Sequence, residues 1–279
     1  MFDRTTQDVG NIVEFGHVNT RVPDQGVATL FYVSGLGLTR DPFLMTSTDN
    51  MWINVGITQF HLPTGPAQVM PGVTVLALPD LSALAARLRR VAPLLADTRF
   101  AFEPAADAIH VMCPWGNRLR CVASDTTRLG IIAVELSAPK GAAEGIARFY
   151  REALDAEAHA ESGRAIITSG MSTDLVFIES DTPPPPFDGA HIQIALANFS
   201  RPHAWLQTRG LITEESNAHQ YRFQAITDPA TGVTLCEIEH EVRSMRHPMF
   251  ARPLVNRDAD ITLARYAPGR EALALGIAP

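Results

Sequence analysis

The sequence predicts an α+β protein built from four repeats of one strand–helix–strands unit. Two observations carry that reading. Short stretches with period-2 alternation recur beside amphipathic helical runs, which is the pattern of sheets covered by helices on one face. The two halves of the chain also align without gaps: a shift of 118 positions carries Phe31-Tyr32 onto Phe149-Tyr150. A register shared across both helices and strands points to an ancestral duplication.

The elements follow in order. HVNTRV alternates as a strand, and Pro23-Asp24 then introduces a helix through VATLFYVSGLGL that ends near Gly35 or Gly37. Strands MWINVG and TQFHLP complete the first unit. GVTVLALP begins the second, followed by the helix LSALAARLRRVAPLL and strands near TRFAFEP, AIHVMCPWG and NRLRCVA. After a connection around Asp125 to Arg128, IIAVELSAP leads into the helix GAAEGIARFYREALDA and the strands RAIITSG and TDLVFIES. The run Pro183 to Pro186 is a stiff connector to the fourth unit, which reads AHIQIALANF, a helix around RPHAWLQTRG, then HQYRFQAI and TLCEIEHEV. Consecutive units are expected to pair, giving domains 1–126 and 127–279, the latter with a C-terminal tail. Each Phe-Tyr pair is expected to pack helix against sheet.

Composition narrows the function. The 279 residues suffice for two cores of ordinary size, and 46% of them are hydrophobic. A formal net charge of -7, without any long Arg/Lys run, argues against a protein that tracks a nucleic-acid backbone. The N-terminus lacks the order of a secretory signal, and no apolar stretch reaches the roughly 18 residues of a membrane span. Cys113, Cys121 and Cys236 form no CxxC pair and read as reduced thiols of a cytoplasmic protein.

The halves differ in chemistry. The shift maps His17 to Glu135, His61 to Glu179 and Val73 to His191. The second half therefore offers Glu135, Glu179 and His191, with Glu237 or Glu239 on its last strand. Three carboxylates and one imidazole suit Fe, Mn, Ni, Co or Zn. On that last strand Glu237, Glu239 and Glu241 share one face, and Cys236, Ile238 and His240 the other. Glu239 is preferred over Glu237 because it lies deeper in the strand. His17, Asn19, Arg21 and His61 could form a second polar pocket, better suited to an anion or a polar headgroup than to a metal. Arg243, His247 and Arg252 lie in a tail that reads as a wrap over the domain.

The segments HVNTRVPD, LFYVSGLGL, CPWGNRLR, IARFYREAL, FIES, HIQIAL and DPATGVTLCEIEH together resemble the vicinal oxygen chelate superfamily, which includes glyoxalase, bleomycin-resistance and extradiol-dioxygenase proteins. The resemblance spans roughly Ile12 to Val242. It implies βαβββ modules paired into two curved mixed-sheet domains, with metal ligands pointing into each cup. Carried over, the glyoxalase pattern falls on Glu135, Glu179, His191 and Glu237 or Glu239, with Glu135 departing from the usual first-strand ligand. Against the two-histidine, one-glutamate iron site of the extradiol enzymes, Glu135 replaces the first histidine. The resemblance therefore implies lyase or isomerase chemistry on a small oxygenated substrate before ring cleavage. Glu135 is a candidate proton carrier, and His219 and Tyr221 are candidate polar groups near the metal. The alternatives are an atypical extradiol dioxygenase or a metal-free binder of an apolar small molecule, with Trp52, Trp115, Trp205 and Tyr221 lining its pocket. Assembly into a homodimer is left open.

Overall fold

The computed structural model describes residues 2–44, 47–124 and 129–256. The expected connection around Asp125 to Arg128 and the tail beyond Asn256 lie outside these residues. Four modules follow one another as read from the sequence. The first contains β1 (Ile12–Asn19), α1 (Gln25–Ala28, continued by a π-helical stretch Thr29–Gly35), β2 (Thr39–Arg40), β3 (Asn50–Val55) and β4 (Thr58–Pro63). The second has β5 (Gly72–Leu78), α2 (Leu81–Val91), β6 (Ala101–Pro104), β7 (Ala108–Met112) and β8 (Arg118–Ala123). The third has β9 (Gly130–Pro139), α3 (Ala143–Leu154), β10 (Ala158–Glu161), β11 (Arg164–Ser169) and β12 (Thr173–Ser180). The fourth has β13 (His191–Leu196), α4 (Ser200–Gln207), β14 (Ile212–Asn217), β15 (Gln220–Thr227) and β16 (Thr234–Ser244).

Helix starts follow capping chemistry. The Asp24 carboxylate accepts from Val27 N–H at 2.9 Å, and Asp80 does the same for Ala83 at 2.9 Å. No described helix is long and apolar enough to cross a membrane.

Two mixed eight-stranded sheets result, ordered β14-β15-β16-β13-β1-β4-β3-β2 and β10-β11-β12-β9-β5-β8-β7-β6. The first joins module one to module four, and the second joins two to three. The sheets do not pair consecutive modules, although the compact units group modules one with two and three with four, close to the expected domains 1–126 and 127–279. The physical reason lies in each module's first strand, which has one edge left to pair after it bonds its own last strand. Any other first strand satisfies that edge, so the hydrophobic pattern does not choose the partner.

By compactness the chain divides into Met1–Gly16 with Ala133–Arg252, and His17–Ile132 with the segment from Pro253, a boundary that falls inside β1. In the first unit Phe149 and Tyr150 of α3 are fully buried. Phe149 packs at 5.9 Å from Phe223, and Tyr150 at 5.8 Å from Phe177. In the second, Phe31 and Tyr32 are equally buried, with Tyr32 at 5.2 Å from Phe60 and Phe31 at 5.9 Å from Phe100. Both Phe-Tyr pairs serve as packing between helix and sheet.

Candidate metal centre

Strands β13 and β16 run parallel in a register that pairs His191 with Glu239, Gln193 with Glu241 and Ala195 with Arg243. On the other side of β16, Arg222 of β15 lies opposite Glu241, and Gln220 opposite Arg243. Alternation along the strands therefore gathers His191, Gln193, Glu239, Glu241, Arg243 and Arg222 on one face. The opposite face carries Ile238, His240, Val242, Tyr221 and Phe223, and α3 packs there. His240 is fully buried, stacked 4.3 Å from Phe223. Its Nδ1–H donates to Ile238 O at 2.8 Å, so Nε2 accepts from the Tyr150 hydroxyl at 2.7 Å. Burial holds this imidazole neutral, with its pKa pushed down to about 3.

The polar face is dense in charge. Arg222 pairs with Glu239 through Nη1, and through Nη2 with Glu241 Oε2 at 2.7 Å. Arg243 Nη2 lies 2.6 Å from Glu241 Oε1. His191 places Nδ1 at 3.3 Å from Glu239 Oε1 and Nε2 at 3.6 Å from Glu241 Oε2. Glu241 is only 4% exposed and Arg243 7%. Burial pulls the Arg243 pKa down, opposed by the neighbouring Glu241. A further carboxylate, Glu14 of β1, accepts from Ala251 N–H at 3.0 Å, and its burial raises its pKa. Glu239 and Glu241 thus share this face with Arg222 and Arg243, and Glu14 acts on Arg243 from β1.

Strand β1 of the same sheet supplies His17. One ligand atom each from His17, His191 and Glu241 lie within 4.8 Å of one another, and all three residues are buried. The neighbouring His61 is engaged differently. It stacks on Trp52 at 3.9 Å, and His17 meets the Trp52 ring edge-on at 4.9 Å. Asn19 Nδ2 donates to His61 Nδ1 at 2.6 Å, which leaves Nε2–H to donate to Asn50 Oδ1 at 2.6 Å. Both His61 nitrogens are thereby committed. Of the expected pocket residues, His17, Asn19 and His61 lie together, whereas Arg21 is exposed and its backbone N–H donates to Gln68 Oε1 at 2.9 Å.

The residues expected to bind metal are not brought together as a set. Glu135 and Glu179 lie on β9 and β12, in the second sheet, whereas His191, Glu237 and Glu239 lie in the first. Glu179 accepts from Ala143 N–H at 2.9 Å and thus caps α3, whose own preceding residue, Ala142, has no side chain to do so. That bond holds its carboxyl below the usual range. Glu179→Ala is expected to cost about 1 kcal/mol in urea unfolding while leaving metal uptake unchanged. Glu237 is exposed near the start of β16, where its carboxylate accepts from Gln224 Nε2 at 3.2 Å. Glu239 does reach His191, with Oε1 3.3 Å from Nδ1. Tyr221 faces the helix side, 4.9 Å from Phe199 and 5.0 Å from His203, and burial raises its pKa. Strand alternation places it opposite to Glu241. His219 sits in the β14–β15 turn, where its carbonyl accepts from Ser244 N–H at 2.9 Å. His17 and Glu241 are the residues missed in the expected metal set. The available signal was histidine at corresponding places in modules one and four.

The sequence matches no known family model and no curated protein sequence. In structure the chain is similar to glyoxalase I from Zea mays, with TM-score 0.57 and 14% identity over 87% of this chain and 95% of that one. It is also similar to the CppA protein of Streptococcus pneumoniae TIGR4, with TM-score 0.51 and 11% identity over 85% of this chain and 100% of that one. Likeness at such low identity is a likeness of fold. The chain has the fold of the vicinal oxygen chelate superfamily, and it carries a candidate metal triad of His17, His191 and Glu241.

Proposed function

We propose that this protein is a divalent-metal-dependent enzyme acting on a small oxygenated molecule, with His17, His191 and Glu241 as the metal ligands. The carrying observation is their three buried donor atoms within 4.8 Å. Two imidazoles and one carboxylate would suit Fe, Mn, Co, Ni or Zn. An ion held by these residues would supply positive charge that polarises substrate oxygens.

The chain's own residues would do the rest. Glu239, 3.3 Å from His191 Nδ1, holds the proton there and so turns the Nε2 lone pair toward Glu241. Arg222 and Arg243 fix both oxygens of Glu241. Glu14, whose pKa is raised by burial, is the carboxyl on this strand best suited to keep or pass a proton. The expectation of lyase or isomerase chemistry over ring cleavage rested on a carboxylate in place of a first histidine. His17 supplies that histidine, so the donor set accommodates oxygen-dependent chemistry equally well.

A second reading follows from one observation: Arg222 and Arg243 already engage both Glu241 oxygens. On that reading the face is a metal-free site for a small polar ligand. Untagged protein titrated anaerobically with Fe(II), Mn(II), Co(II), Ni(II) and Zn(II) separates the two. The metal reading expects one site, and expects His17→Ala and His191→Ala each to weaken uptake about 100-fold or more. Uptake unchanged in both variants, or none in the wild type, sinks it. Oxygen consumption by the iron form with candidate substrates then distinguishes an oxygenase from a lyase or isomerase.

A further inference from the structure

We infer that Gln193 selects the ligand at this site, by donating a hydrogen bond from its side-chain amide to an oxygen of a small oxygen-rich anion. The inference rests on the metal reading above. Gln193 is 1% exposed, yet its Nε2 has no hydrogen-bond partner among the described residues. Leaving a buried donor unmade costs more than an ordinary hydrogen bond contributes, so such a group is retained where something else completes it.

Its position says what that is. Gln193 lies two residues beyond His191 on β13, on the same face, and pairs in register with Glu241. Space for its carboxamide comes from Gly16, the residue before His17. A Cβ there would stand 1.8 Å from Gln193 Oε1 and 2.9 Å from its Cδ, so a side chain at position 16 would force the carboxamide to move. The same Cβ would stand 3.4 Å from a Glu14 oxygen. The chain thus keeps a glycine between a half-buried carboxylate and a buried amide, next to two of the candidate ligands. An amide donor at that place recognises a carboxylate, carbonyl or enolate oxygen, and gains nothing from a ligand without an acceptor.

The test uses full-length protein loaded with Co(II), whose visible bands report ligand binding, and two probes. Oxalate chelates through two oxygens and keeps two further acceptors; ethylenediamine chelates through nitrogen and offers none. Gln193→Leu is expected to bind Co(II) as the wild type does, to lose about 10-fold in oxalate affinity, and to bind ethylenediamine unchanged. Gln193→Glu is expected to lose more for oxalate, because a carboxylate then faces the anion. Oxalate affinity within about twofold of wild type in both variants, or equal losses for both probes, overturns the role of Gln193 and leaves the metal reading standing. Wild-type protein that takes up no Co(II) overturns both.

Discussion

Glu241→Ala is expected to destabilise the protein by about 3–5 kcal/mol and to abolish metal uptake. Glu241 neutralises two guanidiniums at once, at 2.7 and 2.6 Å, where it is only 4% exposed. Removing it leaves Arg243, itself 7% exposed, as a buried cation that, among the described residues, Glu14 helps to offset. Arg222 suffers less, since it retains Glu239 and has Glu214 at 3.6 Å. Glu241→Gln keeps an acceptor for one guanidinium but removes the charge, so it is expected to fall between wild type and alanine in stability while losing metal as fully. Urea unfolding followed by the emission of Trp52, Trp115 and Trp205 measures the first effect. Repeating it with excess Co(II) measures the second: bound metal raises the wild-type midpoint by mass action and leaves both variants where they were. A loss below about 1 kcal/mol in the alanine variant would mean that the arginines do not depend on this carboxylate.

The sequence made the modules legible but not their partners. The 118-position register holds in the structure: it carries His17 of β1 to Glu135 of β9, His61 of β4 to Glu179 of β12, and Cys121 of β8 to Glu239 of β16. Those equivalences come from side-chain periodicity, which is local. Which first strands share an edge is decided by long-range pairing, and the sheet order puts β13 beside β1, not beside β9. That one fact removes Glu135 and Glu179 from the company of His191 and brings in His17.

The parity of β16 was legible too, since alternation alone puts Glu237, Glu239 and Glu241 on one face. Choosing among them needed the overlap with β13, which begins at His191 opposite Glu239. Glu237 therefore precedes the covered part of the strand and stays exposed, whereas Glu241 lies opposite Gln193 and is buried. The register shift between Phe223 and Ala225 on β15 is a further local feature with no signature in the residue pattern. Gly16 escaped notice for a different reason. Its importance lies in the side chain of Gln193, 177 positions away, and becomes visible only when the strands are placed together.

The other large effect is on the helix side of the same strand and depends on pH. His240 is neutral in the fold, with its pKa pushed down to about 3 from an ordinary 6.5. The unfolded chain therefore binds the proton that the folded chain refuses, and stability must fall as pH drops below 6.5 toward 3. At about 1.4 kcal/mol per pH unit, a shift from pH 7.5 to 4.5 is expected to remove about 3 kcal/mol through this residue alone. The cost is structural as well as electrostatic: the ring is stacked on Phe223, and its Nε2 is the acceptor for Tyr150. His247, with a pKa lowered to about 4, acts in the same direction, so the wild-type curve alone does not isolate His240. His240→Gln does, because it cannot take up a proton and still offers the Tyr150 hydroxyl an acceptor. The variant is expected to be less stable at pH 7.5, where it has lost the stacked ring, and to close much of that gap by pH 4.5. Parallel urea-unfolding curves across the pH series provide the check. A wild-type advantage of the same size at both pH values would show that His240 titrates alike in the folded and unfolded chains. Metal occupancy does not mask this result, because His240 points away from the face that carries His191 and Glu241 and is committed at both ring nitrogens.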